Sequence, residues 1–265
     1  MHHLRNLTVL ILGLGDSGLA MARWCARCGA AVRVADTRAN PPQAATLAAD
    51  VPAATLHHGL DVGLLDGVNL VLKSPGLMPN APDVSALLAK ADELGIPRSA
   101  CHRLLAEGAI GQALVVDLDV HQGDGTARIF EGDPSVFTLS MHAEKNFPHR
   151  KATSDLDVEL ADGTGDVAYL EKLGEILPAL LSSVRPDIVF FNAGVDPHAD
   201  DKLGRLSLTD DGLGRREAYV LGACLSLEIP VVGVIGGGYD ADIDRLAARH
   251  AILHRTAKSL YSSVA

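Results

Sequence analysis

The chain has 265 residues, of which 48% are hydrophobic and 4% aromatic, and a formal net charge of −10. That length and apolar content suffice for one large α/β domain or two small ones with a core of Ala, Leu, Val and Ile, and they exclude a disordered chain. The acidic balance argues against nucleic acid, whose phosphates need a basic surface, but leaves room for a cationic substrate such as a lysine-bearing peptide or a polyamine.

Residues 7–12 read as a buried strand, and G-L-G-D-S-G over 13–18 turns it into a helix running to about residue 28. This is G-x-G-x-x-G between a strand and a helix, and a second strand over 31–35 ends at Asp36. Backbone amides at the start of such a helix suit a phosphate, although a turn needed only for helix–strand packing leaves the same signature. W-C-A-R-C over 24–28 has redox spacing, but it lies inside the helix, away from the N-terminal position that stabilises a thiolate. Packed, reduced cysteines are the better reading. A helix follows Pro41 and Pro42, short strands follow near 53–56 and 69–73, and a helix over 82–94 closes this part.

Together, G-L-G-D-S-G, A-D-T-R over 35–38 and K-S-P-G-L over 73–77 resemble the N-terminal domain of the Mur ligases, and among them the UDP-N-acetylmuramoyl-alanine–D-glutamate ligases. The resemblance covers about residues 5–96. It implies a Rossmann-like segment that holds a UDP-sugar, with Gly13, Gly15 and Gly18 near the phosphates and Asp36, Thr37, Arg38, Ser74 and Gly76 near the nucleoside end. Ligase chemistry also needs a G-x-x-x-x-G-K-[ST] loop for ATP, and the sequence has none, so ligase activity is not expected. Near 95–97 that family would enter another strand, whereas this chain writes a helix over 99–107.

The next stretch, A-L-V-V-D-L-D-V-H-Q-G-D-G over 113–125, passes from a buried strand to carboxylates, an imidazole and glycines. Asp117, Asp119 and His121 alternate along an extended chain and so project to one side. The carboxyl end of a parallel strand is where α/β sheets place ligands, and Asp with His two residues later can share a divalent metal. Strands over 137–140, 187–192 and 231–235 follow, connected or closed by helices at about 166–183, 209–227 and 240–258. Asp196 follows its apolar strand as Asp119 follows its own.

From about residue 100 to 260 the chain resembles the C-terminal part of histone deacetylases, most closely class IV and related bacterial enzymes. The matching motifs are D-L-D-V-H-Q-G-D-G (117–125), F-T-L-S-M-H (137–142), N-A-G-V-D (192–196), D-K-L-G-R-L (201–206) and G-G-G-Y (236–239). The resemblance implies Asp119, His121 and Asp196 as zinc ligands, Tyr239 as the donor to a developing oxyanion, and Asp117 and Ser140 beside a monovalent cation. Three protein ligands with open positions are the pattern of a catalytic zinc, which polarises a carbonyl and acidifies water. Deacetylases also carry a tandem histidine upstream as general base and acid, oriented by carboxylates that Asp117 and Asp124 match. Here the Mur-like segment occupies that region. The remaining pairs are His2 with His3, read as a tail, and His57 with His58, on or just after a Mur-like strand. His142, His149 and His198 read as surface or loop residues, and the acidic stretch 154–166 as a solvated loop.

These readings define a chimera of two segments, 1–97 and 98–265. The expected fold is a three-layer α/β structure in which both segments jointly build one mostly parallel sheet of about eight strands, with 69–73 beside 231–235 so that neither edge stays open. The expected function is a retained zinc site with little or no catalysis. One alternative is a zinc-dependent amidohydrolase acting on acyl-lysine or acylpolyamine, with Asp124, Glu144 or His57 as a recruited base. The other is UDP-sugar or nucleotide binding without chemistry. No apolar run spans a membrane and residues 1–5 lack a secretory core, so a cytoplasmic protein without membrane contact is expected, with a small molecule or acylated substrate as its partner.

Overall fold

The structure is a computed structural model that describes residues 4–74, 76–78 and 81–262; His2, His3 and Pro75 lie outside the described residues. The chain divides by contact into two units, Met1–Ala109 and Ile110–Ala265, and each has its own all-parallel sheet.

The first unit runs β1 (Thr8–Leu12), α1 (Asp16–Arg27), β2 (Ala31–Asp36), α2 (Ala44–Asp50), β3 (Thr55–His58), a 3-10 turn (Val62–Leu65), β4 (Leu70–Lys73), α3 (Pro82–Glu93) and α4 (Ala100–Ala106). Its strand order is β3-β2-β1-β4. Alternation along β1 sends Val9 and Ile11 to the face covered by Leu19, Ala22, Cys25 and Leu47, and Leu10 to the face covered by Leu65, Val84, Leu87 and Ala91. A strand covered on both faces must be apolar at every position, which is why T-V-L-I-L shows no polar alternation. Each such buried aliphatic side chain contributes about 1.5–3 kcal/mol. Cys25 and Cys28 are buried and unbridged, and burial pushes the Cys25 thiol up to about 11. This is the inert, packed state expected from their place in the helix.

The turn from β1 into α1 depends on two glycines. Gly13 has φ +90°, a conformation that favours glycine, and its N–H donates to the Ala35 carbonyl at 2.7 Å. A Cβ on Gly18 would overlap the Gly13 carbonyl oxygen, whereas one on Gly15 would meet open space.

The second unit runs β5 (Ala113–Asp117), α5 (Asp124–Ile129), β6 (Val136–Ala143), β7 (Leu156–Leu160), α6 (Asp166–Val184), β8 (Ile188–Asn192), α7 (Asp210–Ser226), β9 (Val231–Val234) and α8 (Ile243–Ser262). The strand order is β7-β6-β5-β8-β9. One continuous core joins Leu114, Val116, Leu139, Met141 and Phe191 of the sheet to Leu173 and Leu177 of α6, Leu213 and Val220 of α7, and Ile252 of α8. β5, the central strand, is buried along its whole length. Its end lies in register with its neighbours, so that Asp117 stands beside both Ser140 and Asn192.

The single joint sheet of about eight strands is therefore corrected to two sheets of four and five strands. β4 pairs with β1, and on Val71 its other backbone side is met from within its own unit, where the N–H donates to the Pro97 carbonyl at 3.0 Å. β9 pairs with β8 and is only four residues long, which limits the exposed edge. The acidic stretch 154–166 is also not wholly a loop, since it contains β7. Asp155, just before β7, accepts from the Thr138 N–H and hydroxyl, and Asp157 on it from Gln122 Nε2, so acids of this stretch meet protein donors.

Gly18→Ala is expected to destabilise the protein by about 1–3 kcal/mol through overpacking, read as a lower denaturation midpoint. Gly15→Ala, whose added methyl meets open space, should cost less, at most about the 1 kcal/mol by which Ala is the poorer N-cap.

Candidate metal centre

Past β5 and β8 the chain leaves the regular strands, and its polar groups are satisfied across the sheet end. Leu118 N–H donates to the Asn192 carbonyl (3.1 Å), and Val120 N–H to Asp196 Oδ1 (2.9 Å). The segment after β9 comes alongside: Val195 N–H donates to the Gly237 carbonyl (2.7 Å), and Gly237 N–H to Asp119 Oδ2 (2.7 Å). These bonds bring the three predicted ligands together. His121 Nδ1 lies 3.0 Å from Asp119 Oδ1 and 3.1 Å from Asp196 Oδ2. One ligand atom from each of the three falls within 4.8 Å of the others.

The electrostatics call for a cation there. Burial raises the pKa of Asp196, and the Asp119 charge adds to it against the stabilising bond from His121. Burial alone would lower the His121 pKa, but its bonds to Asp119 and Asp196 carry it well above the usual imidazole range. Two carboxylates in a largely dry site are thus held together by one positive imidazolium, the place a divalent metal would take with the imidazole neutral. Glycine backbone lines the site. A Cβ on Gly237 would overlap Asp196 Oδ2, and one on Gly236 would stand 3.0 Å from Asp119 Oδ2. One imidazole nitrogen and two carboxylate oxygens form a donor set suited to zinc.

Tyr239 sits beside this cluster. Its ring meets the His121 ring edge-on with centroids 6.0 Å apart, it is 44% exposed, and its N–H donates to Asp201 Oδ2 at 2.6 Å. Asp117 lies behind, where burial and then the Asp119 charge push its pKa up to about 7, and its Oδ1 accepts from Asp119 N–H and Asn192 Nδ2. Ser140 Oγ lies 3.0 Å from His142 Nδ1 and accepts from Gly123 N–H.

Of the histidines read as surface or loop residues, His142 differs, and His198 lies in the loop between β8 and α7. His142 is fully buried on β6, because it falls on the covered part of a strand that runs past residue 140. His198 is buried too; its Nδ1 accepts from Asp200 N–H, and its Nε2 faces Asp210 at 3.4 Å. His149 is exposed, as read. Of the alternative bases, Asp124 pairs with Arg128 at 3.2 Å, and Glu144 is exposed. His57 and His58 end β3 of the first unit, in register with Ala35 and Asp36.

Sequence reasoning missed two buried arginines. Arg216 is fully buried and pairs with the buried Glu217. Arg249, 5% exposed, binds Asp200, Asp210 and Asp240 and so ties α8 to the segments after β8 and β9. The available signal was position: Arg216 and Glu217 fall on the helical stripe of Leu213, Val220 and Cys224.

In the first unit, Gly13, Gly15 and Gly18 follow β1, Asp36, Thr37 and Arg38 end or follow β2, and Ser74 and Gly76 follow β4, all at the carboxyl end of adjacent strands. Gly15 and Gly76 face open space, Thr37 is exposed and Ser74 is buried. Asp36 is engaged from within. It accepts Leu14 N–H at 2.6 Å and two guanidinium nitrogens of Arg38 at 2.7 and 2.8 Å. The Arg38 bonds outweigh burial and hold its carboxyl at about 2.

Fold and site together define an α/β protein whose second sheet gathers three metal-donating side chains at its carboxyl end. Residues 100–254 match the histone deacetylase domain, and residues 7–95 match the Mur ligase MurD-like N-terminal domain. The chain belongs to the histone deacetylase domain family. It is 54% identical over 154 residues to an uncharacterized protein of a Picosynechococcus strain, covering 58% of this chain and 51% of that protein. It is also 54% identical over 99 residues to the UDP-N-acetylmuramoylalanine–D-glutamate ligase of Albidiferax ferrireducens, covering 36% of this chain and 19% of the ligase. The chain thus spans about half the length of the first relative and a fifth of the second. Its fold is similar to that of an acetylpolyamine aminohydrolase from Burkholderia pseudomallei (TM-score 0.52, 21% identity, 75% of this chain and 59% of that one). It is similar as well to that of the histone deacetylase Clr3 (TM-score 0.52, 20% identity, 72% and 32%). Among the described residues, no helix is long and apolar enough to cross a membrane.

Because Asp36 ionises below the usual 3.8, its stabilising contribution is complete above about pH 4 and is lost as pH falls toward 2. In Arg38→Ala the Asp36 carboxyl should titrate closer to 3.8, measured by carboxyl-detected NMR.

Proposed function

We propose that the chain is a chimera of two enzyme fragments joined near 97/98, whose second fragment holds one zinc ion through Asp119, His121 and Asp196 and hydrolyses amides little or not at all. The supporting observation is the convergence of one imidazole nitrogen and two carboxylates in a mostly buried site walled by glycine backbone. When bound, zinc supplies Lewis acidity toward a carbonyl oxygen and acidifies water. The chain's own groups orient the ligands. Val120 N–H and Gly237 N–H bind the outer oxygens of Asp196 and Asp119, and the inner oxygens, that of Asp119 also accepting His121 N–H, face His121 Nδ1. Tyr239, exposed beside His121, is placed to donate a hydrogen bond to the oxygen that gains charge on an acyl substrate. A monovalent cation beside Asp117 and Ser140 belongs to the same proposal, supported by their pairing in adjacent strands.

Proton transfer is the weak point. Residues 98–265 contain no tandem histidine, and Asp124 is tied to Arg128. A positioned acid–base group supplies about 10²–10⁴ in rate, so turnover of an acyl-lysine or acylpolyamine should stay near background. We place the protein in the cytoplasm, with a small-molecule partner and no nucleic acid. A second reading, UDP-sugar binding by the first fragment, is favoured by the open space at Gly15 and Gly76 beside the β1 turn.

Metal analysis after dialysis against zinc should give about one ion per chain, and none in His121→Ala. Zinc affinity should fall as pH is lowered, because protons compete for His121 and the two carboxylates. Zinc-dependent hydrolysis of an acetyl-lysine reporter, lost in Tyr239→Phe, would instead establish an active amidohydrolase. Calorimetric titration with a UDP-sugar tests the second reading, which requires binding that Gly15→Val removes.

A further inference from the structure

The segment 118–121 carries two of the three proposed ligands, yet it lies beyond the end of β5 and has left the ladder. Most of its polar groups are accounted for at the site itself. Asp119 N–H donates to Asp117 Oδ1, Val120 N–H to Asp196 Oδ1 and His121 N–H to Asp119 Oδ1, while the Val120 carbonyl accepts from Ala143 N–H. The Leu118 carbonyl, between the two aspartates, is different. Its donor comes from the opposite side of the core: Arg216 NH1 of α7, at 3.0 Å.

Arg216 is 0% exposed and Glu217 is 1% exposed. Arg216 NH2 donates to Glu217 Oε1 at 2.6 Å, and the guanidinium lies beside the buried Tyr169 hydroxyl. An ion pair in a dry core is a poor source of stability, since desolvation offsets much of the attraction. What this pair does locally is keep a guanidinium upright beneath one backbone carbonyl, where a planar donor with fixed geometry is more restrictive than an ammonium. Glu217 neutralises and aims the guanidinium, Arg216 fixes the Leu118 carbonyl, and the carbonyl fixes the peptide planes that lead into Asp119 and His121.

We propose that Arg216, aimed by Glu217, is a positioning residue for the metal centre: it acts through the Leu118 carbonyl to hold Asp119 and His121 in ligating geometry. This rests on the zinc reading above.

The test is the double variant Arg216→Met with Glu217→Leu, which removes both charges and leaves no buried carboxylate unpaired. Apolar replacement of a buried ion pair is often neutral or stabilising, so the melting temperature should stay near that of the parent protein. Zinc affinity should fall about 10–100-fold, the usual loss when an outer partner of a metal site is removed. The visible bands of the cobalt(II)-substituted protein should shift, which a merely structural loss would not produce in folded protein. In metal-free protein, amide exchange should quicken across 118–121 and not along β5. Arg216→Lys, which can still reach the carbonyl, should recover part of the affinity; it also serves if the double variant does not fold, then showing a weaker loss with a shifted cobalt spectrum. Parent and variant proteins that bind zinc equally, with unchanged cobalt bands and exchange, would overturn the proposal and leave the zinc reading intact. A parent protein that takes up no zinc would overturn both.

Discussion

Two buried carboxylates around one imidazole are the constraint on which the second unit depends. Asp196 is fully buried and Asp119 nearly so, and both aim an oxygen at His121 Nδ1. Like charges this close in a poorly solvated site repel strongly, and the arrangement holds only with positive charge between them. The surroundings serve this need: backbone N–H groups on the outer oxygens, glycines where a Cβ would collide, and a sheet end that keeps β5 and β8 adjacent.

The first unit solves the same problem in the opposite way. Asp36 also ends a parallel strand and is also buried, but it is satisfied by its own neighbour, Arg38, and by the Leu14 amide. Its charge is neutralised within the chain, so it calls for no external cation. What the turn offers beyond it is open backbone at Gly15. One sheet end is neutralised by an arginine two residues away, and the other by an imidazole that bridges two carboxylates and could give way to a metal ion.

Each unit also matches a different family. The family matches fall in succession, 7–95 and 100–254, and the chain spans only part of its relatives in both. Even so, each unit has a sheet buried by its own helices, and each keeps the strand-end loops that its motifs encode. The position of a side chain at a sheet end depends on local strand register, which each unit sets within its own sheet.

Much of this was legible in the sequence. Apolar runs marked the strands, glycines marked the tight turns, and the D-x-D-x-H alternation with a second Asp after an apolar strand marked the three donors, because these signals are local in the chain. Pairing partners were not local. Whether β4 and β9 would meet or stay in separate sheets turned on backbone groups such as the Pro97 carbonyl, which sequence pattern does not reveal. The burial of His142, and the strand hidden in the acidic stretch, depended on which neighbours covered them. Arg216 is the clearest case. By residue type it reads as a solvated charge, and only the packing of α7 into the core it shares with the sheet places it, fully buried, on the carbonyl between Asp117 and Asp119. The sequence by itself determined which side chains could ligate a metal; the tertiary structure decided what holds them in place, because those partners lie up to 118 residues away along the chain.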